Sequence, residues 1–261
     1  MTIRQHYVPQ VYLESWCNEK KQLDVHDKIA GKSLNPSPLN VLNERYYYEE
    51  PQSSPTNELE RQFGAYEGAF GATLKFLNFV IDGAIQNGQP IAATLENMLE
   101  NLPRHAVALK EFAGVAYFRT PGALRAMREQ LAADGAPLAA KALDALNSPY
   151  ALGKDAFEST LLERFRELSM IIGYTGGERL YTGDWPCYPL AGGEHHANFG
   201  YDIGNHVAAF AGMAVTPRLY ILFLPNLQKR APFVLGRMMP TDLVRQTNEM
   251  VSEVAMRWVV R

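Results

Sequence analysis

Cysteine is scarce in this chain. Of 261 residues only Cys17 and Cys187 carry a thiol. Two thiols cannot build a disulfide framework or a four-cysteine zinc site. Long hydrophobic runs are missing as well. The most apolar one, LYILFLP at 219–225, falls far short of the roughly 20 residues needed to span a bilayer. The opening MTIRQHYVPQVYLESW has no apolar core of signal-peptide length. These absences predict a cytoplasmic protein with no membrane partner, export by a dedicated secretion machine being left open. There is no basic excess: 25 Lys and Arg stand against 28 Asp and Glu, a net charge of −3. That argues against a broadly basic nucleic-acid surface and leaves a local patch open. No P-loop, G-x-G-x-x-G, H-E-x-x-H or G-x-S-x-G motif occurs, nor any internal repeat or low-complexity tract.

What is present is an ordinary globular balance, 47% hydrophobic and 20% charged, in a length that suits one large domain. Three zones make up that domain, 1–55, 56–168 and 169–261. The first is rich in tyrosine and proline. LDVHDK (23–28) and GKSLN (31–35) flank a turn at Ile29-Ala30-Gly31 and predict a hairpin, with NERYYYEE (43–50) as a third strand. The second zone is helical in pattern. The third turns to strands at SMIIGY, ERLYTG, HVAAFAGMAV and RLYILFL. It closes on an amphipathic helix over 241–260, opened by Thr241 and Asp242. The expected fold is α+β. About five helices form a central block beside a mainly antiparallel sheet from 169–225. The N-terminal hairpin joins or flanks that sheet, and the closing helix covers it.

The first long helix has an informative face. Asn57-Glu58-Leu59-Glu60 reads as a capping box, with Asn57 as cap and Glu60 reaching back. Leu59, Phe63, Tyr66, Phe70, Leu74 and Leu77 form an apolar stripe. Beside it run Glu60, Gly64, Glu67, Gly68 and Gly71, which share one side. Each glycine costs about 1 kcal/mol against alanine in a helix. The stripe is therefore expected to meet a second backbone or a ligand. With Glu60 assigned to the cap, Glu67 is the carboxylate left for chemistry.

Other polar residues sit at element ends. His6 precedes Tyr7-Val8-Pro9, and Pro9 suits the first turn of a helix running to Trp16. His6 is either an acid, base or ligand, or a backbone-bound histidine that fixes the chain where it enters the helix. Arg119 ends a helix that starts at Pro103. There it complements the helix dipole or clamps a carboxylate or phosphate. Asp184 follows a strand, either starting an Asx-turn before Pro186 or carrying chemistry. His195 and His196 are adjacent, so they diverge from any single ion. His26, His105 and His206 lack partner spacings. Cys17 and Cys187 have no local signature of a Cys–His pair.

The run Gln5-His6-Tyr7-Val8-Pro9-Gln10-Val11-Tyr12-Leu13 resembles the opening QHYVPQ-x-YL of a widespread microbial family known as domain of unknown function 4238. Phe118-Arg119-Thr120-Pro121 is similar to its helix-ending R-T-P. Thr182-Gly183-Asp184-Trp185-Pro186 resembles its T-S-D-N-P, with Gly183 and Trp185 replacing Ser and Asn. Thr216-Pro217 before RLYILFLP resembles its P-L-S-P strand pair. The resemblance spans residues 5 to 225 and implies a shared fold without supplying an activity.

Two functions fit these residues. One is a hydrolase or nuclease-like effector acting on a phosphate ester or nucleotide. Its catalytic set is His6, Arg119, Asp184 and Glu67, with Gln5, Tyr7, Gly64 and Gly68 as substrate contacts. A divalent metal on Asp184 and Glu67 is the candidate cofactor. The other is a non-catalytic sensor that recognises a nucleotide, a short nucleic acid or a protein through a tyrosine-rich surface of Tyr7, Tyr12, Tyr46, Tyr47 and Tyr48. Either way His6, Glu67, Arg119 and Asp184 are expected around one pocket. Oligomeric state is not legible.

Overall fold

The structure, a computed structural model, describes residues 3–49, 54–134, 161–190, 211–225 and 232–261. His195, His196, His206 and the first part of the strand expected at HVAAFAGMAV lie outside the described residues. The fold is α+β: a helical block packed on strands that are mostly antiparallel.

The N-terminal zone begins with β1 (Arg4–His6) and α1 (Gln10–Leu13), which tightens into a 3₁₀ turn at Glu14–Trp16. Strands β2 (Val25–Asp27) and β3 (Lys32–Leu34) form the expected hairpin, and β4 (Asn43–Arg45) follows. The third strand does not extend the hairpin. It pairs with β1, so Gln5 lies opposite Glu44 and His6 opposite Asn43. Beyond Arg45 the chain turns, with Tyr46 in left-handed backbone (φ 53°).

Helix α2 (Glu58–Gln86) follows, then α3 (Ile91–Asn101), α4 (Pro103–Phe118), α5 (Pro121–Asp134) and α6 (Leu161–Glu167). The 29 residues of α2 are long and apolar enough to cross a membrane by length and composition alone. In this fold its stripe lies against other helices instead. Phe63, Phe70, Leu74 and Leu77 are buried, and the Phe70 ring stacks on Phe112 of α4 at 3.6 Å between centroids. Tyr12 of α1 lies 5.9 Å from the same Phe112 ring. Gly71 is the glycine that this junction requires: a Cβ there would stand 2.8 Å from Val11 Cγ2.

The main sheet runs β10 (Val234–Met239), β5 (Ser169–Thr175), β9 (Leu219–Leu224), β8 (Ala211–Thr216), β7 (Cys187–Pro189). All its pairs are antiparallel except β10 with β5. Strands β5, β8 and β9 are buried along their whole length, which explains their unbroken apolar sequences. Helix α3 presses on the edge strand: a Cβ on Gly236 would sit 1.8 Å from the Ala92 carbonyl. Glu96 accepts the Gly236 N–H at 2.7 Å. That carboxylate occupies a ladder group that an exposed edge would offer to another chain.

A second sheet, β3-β2-β11-β6, joins the N-terminal hairpin to β6 (Thr182–Gly183) and β11 (Trp258–Val260). The hairpin, expected to join or flank the main sheet, does not join it and pairs within this second sheet. One expectation is corrected here. The closing helix, α7, spans Thr241–Val254 and packs on β6, and the residues after it form a strand instead of more helix. Arg257, in the turn between, reaches Asp27 of β2 at 2.8 Å.

Candidate functional site

Arg119 closes α4 and is 2% exposed. Its guanidinium is held from three directions. Nε donates to the Tyr48 hydroxyl at 3.0 Å, Nη1 to Glu67 Oε1 at 2.7 Å, and Nη2 to the His6 carbonyl. Its plane rests over the Phe63 ring, 4.3 Å from the centroid. Tyr48 donates in return to the Arg119 carbonyl at 2.9 Å, satisfying a free carbonyl at the helix end. Arg119 thus ties α4, α2 and β1 together.

Gln5 and Glu49 extend this network. Gln5 donates to Glu49 at 2.7 Å and accepts the Tyr48 N–H at 2.7 Å. Glu49 also accepts the N–H groups of Thr56 (2.7 Å) and Asn57 (3.0 Å). The start of α2 is therefore gripped by a carboxylate from outside the helix. Asn57 sits in left-handed backbone and makes no side-chain cap. The capping-box reading of Asn57 and Glu60 is corrected accordingly.

Released from the cap, Glu60 becomes the unusual residue. It is half-buried, and its Oε2 is shut away from solvent without a hydrogen-bond partner. Burial pushes its carboxyl up to about 7 from an ordinary 4.5. Arg119 pulls it down, while Glu67 and Glu49 push it up. Glu67 lies two helical turns on, about 10 Å along the axis. Its side chain is 28% exposed. Between and beside the two carboxyls are Gly64 and Gly68. Both are exposed, and among the described residues nothing lies within 4 Å of where a Cβ would be. All three glycines are expected to face another backbone or a ligand; Gly71 meets a side chain, Val11, and Gly64 and Gly68 meet no protein atom among the described residues. Gly64 and Gly68 leave an open notch on α2 flanked by Glu60 and Glu67.

Gly68→Leu is thus expected to leave stability unchanged or raise it by about 0.5–1 kcal/mol through helix propensity. Gly71→Leu should lower it by about 1–3 kcal/mol through overpacking against Val11. Urea unfolding of the two variants checks this. Destabilisation by Gly68→Leu as large as that by Gly71→Leu would show that the notch is closed.

The remaining candidates are placed as follows. His6 touches the Pro38 carbonyl through Nε2 at 3.2 Å, and Gln10 Nε2 lies 3.3 Å from its Nδ1. A hydrogen bond to that carbonyl requires the proton on Nε2, which the Asn43 amide nitrogen also approaches at 3.4 Å. Burial lowers the pKa of the ring. Its backbone, not its imidazole, meets Arg119. Tyr7 packs against Tyr47 at 5.4 Å. Tyr7, Tyr12, Tyr47 and Tyr48 are all buried, so they form no tyrosine-rich surface.

Among the described residues Asp184 shares no hydrogen bond with Arg119, Glu67 or His6. Its carboxylate accepts the N–H groups of Met256 (2.9 Å), Arg257 (2.7 Å) and Trp258 (3.0 Å). Its own N–H donates to the Trp258 carbonyl. Burial raises its pKa, and those three donors oppose the rise. Gly183 lets β11 approach: a Cβ there would stand 2.7 Å from the Trp258 carbonyl. Trp185 donates from Nε1 to the Tyr117 carbonyl at 3.0 Å. This segment pins the chain reversal between α7 and β11. Asp184→Asn places an amide donor against backbone donors and should cost about 3 kcal/mol. A change in unfolding free energy below about 1 kcal/mol would contradict that role.

Burial pushes both thiols up, Cys187 strongly, the opposite of an activated nucleophile. His105 stacks on Phe76 and meets Thr73 in the core. Among the described residues no group of three His, Cys, Asp or Glu is arranged to hold a metal ion. Sequence reasoning missed Glu49, which follows no periodic pattern, assigned Tyr48 to a contact surface rather than to Arg119, and gave Glu60 a local role.

The chain is an α+β protein with a buried ionic cluster under a helix notch. It belongs to the family described as protein of unknown function, DUF4238, whose model matches residues 4–261. No curated protein and no solved structure matches it.

Proposed function

We propose that the notch on α2 is the working site of a hydrolase using carboxyl acid–base chemistry, with Glu60 as the acid. The observation that supports this is the Glu60 carboxyl itself, partly sealed, unpartnered at Oε2 and raised to about 7. An acid poised near the working pH combines a held proton with the drive to release it. Glu67 lies two turns further along the same side of α2, with Oε1 held by Arg119. In the reaction Glu60 gives its proton to the leaving-group oxygen or nitrogen. Glu67 orients a water and takes its proton as the new bond forms. Solvent exchange then restores both groups.

Glu60 has two carboxyl neighbours, Glu49 and Glu67, and one guanidinium neighbour that is already committed to three acceptors. That balance favours an uncharged bond, an ester, amide or glycoside, over a phosphate ester. The second reading is a non-catalytic sensor for a nucleotide or protein partner. It is favoured by the full engagement of His6, Arg119 and Asp184 within the protein.

The test is turnover of chromogenic esters, anilides, glycosides and phosphates, plus nucleotides, from about pH 5 to about pH 9. The hydrolase reading expects turnover of an uncharged substrate that falls above about pH 7 and disappears in Glu60→Gln. Binding of a nucleotide without turnover of any substrate would replace it with the sensor reading.

A further inference from the structure

Away from the α2 notch, the 3₁₀ end of α1, the loop before β2, the loop after β5, helix α7 and the end of β11 line a separate open cavity of about 440 Å³. It contains none of Glu60, Glu67 or Arg119. Its walls are tied together by hydrogen bonds. Asn248 of α7 accepts the Tyr181 N–H at 2.7 Å and donates to the Arg179 carbonyl at 2.9 Å. Trp16 donates to the Leu180 carbonyl at 3.2 Å. These bonds hold the loop after β5 against α1 and α7, so the cavity is framed before any ligand arrives.

The lining charges are of both signs. Asp24, Glu178, Arg179 and Arg261 line the cavity, all four at exposed positions. Among the described residues none of the four forms an ion pair. The Arg261 guanidinium lies over the Tyr181 ring, 5.9 Å from its centroid, which orients its donor fork. We infer that this cavity binds a small zwitterion of the free amino acid or dipeptide class. The ligand carboxylate takes the fork of Arg261 or Arg179, and the ligand ammonium takes Asp24 or Glu178. A multiply charged phosphate would meet two carboxylates as well as two arginines, whereas one charge of each sign is offset at both ends. The volume suits a ligand of this size.

Calorimetric titration of the full chain with free amino acids and dipeptides tests the inference, with propionate, propylamine, inorganic phosphate and adenosine monophosphate as probes of single charge or phosphate chemistry. Zwitterions are expected to bind at least about tenfold tighter than either single-charge probe. Arg261→Gln and Asp24→Asn, both at exposed positions, should each weaken zwitterion binding by about tenfold while leaving thermal unfolding unchanged. Phosphate or nucleotide binding without zwitterion binding would overturn the assignment. So would zwitterion affinity unaltered in both variants, or no heat with any probe. None of these outcomes bears on turnover at the notch, whose variants are different residues.

Discussion

Arg119→Met is expected to lower unfolding free energy by about 3–5 kcal/mol, the loss that follows when one partner of a buried ion pair is removed. Methionine replaces the apolar stem but neither the guanidinium over Phe63 nor any of the three donated hydrogen bonds. Glu67 loses its cation, and the His6 carbonyl and the Tyr48 hydroxyl each lose a donor. Lysine should recover only part of the loss, because a single ammonium cannot reach acceptors on α2, β1 and the Tyr48 ring as a planar fork does. A second consequence is electrostatic. Arg119 is the group that holds the Glu60 carboxyl down, so its removal should move that titration above about 7. Urea unfolding across pH measures both effects. A loss below about 1 kcal/mol would mean that the cluster does not anchor the N-terminal segment. Because the loss is large, an inactive Arg119 variant says nothing of catalysis unless its folding is measured beside it.

Local patterns carried the sequence reading where the structure is local. The α2 stripe, the Pro103 start and Arg119 end of α4, and the apolar runs of β5 and β9 need only periodicity and helix-end chemistry. The reading failed where a distant residue decides. Residues 255–260 continue an apolar pattern, yet Asp184, some 72 positions away in sequence, binds the N–H groups that turn the chain into β11. Asn57 and Glu60 have a capping box's spacing, but Glu49 reaches from the preceding loop to the Asn57 N–H that Glu60 would have taken, and leaves Glu60 free. Strand β10 was unread because Gly236 and Arg237 interrupt it. Gly236 is there because Ala92 of α3 rests on the strand. The site was legible in part for the same reason. Arg119 and Glu67 were identified by type and position, whereas the acid of the pair depends on packing that no spacing records.

Glu60→Gln should stabilise the protein above about pH 7 and leave it unchanged below about pH 4.5. The native carboxyl titrates near 7 and the unfolded one near 4.5. Between those values the native state holds a proton that the unfolded state has released. Stability from this group is therefore complete below the unfolded value and is lost as pH rises through the native one. At about 1.4 kcal/mol per pKa unit, the loss across that window is roughly 3 kcal/mol. Glutamine keeps the shape and stays neutral at every pH, so the variant should not show this loss. Carboxyls that do not interact with Glu60 behave alike in both proteins and cancel in the difference. The measurement is the urea midpoint of wild type and variant at several pH values. Two parallel curves would mean that Glu60 ionises as an ordinary surface carboxylate, and the notch would then lack the acid on which the hydrolase reading depends. Converging curves at low pH, with the variant higher above neutrality, would show that burial, opposed by Arg119 alone, keeps a proton on α2 at the pH where an enzyme would use it.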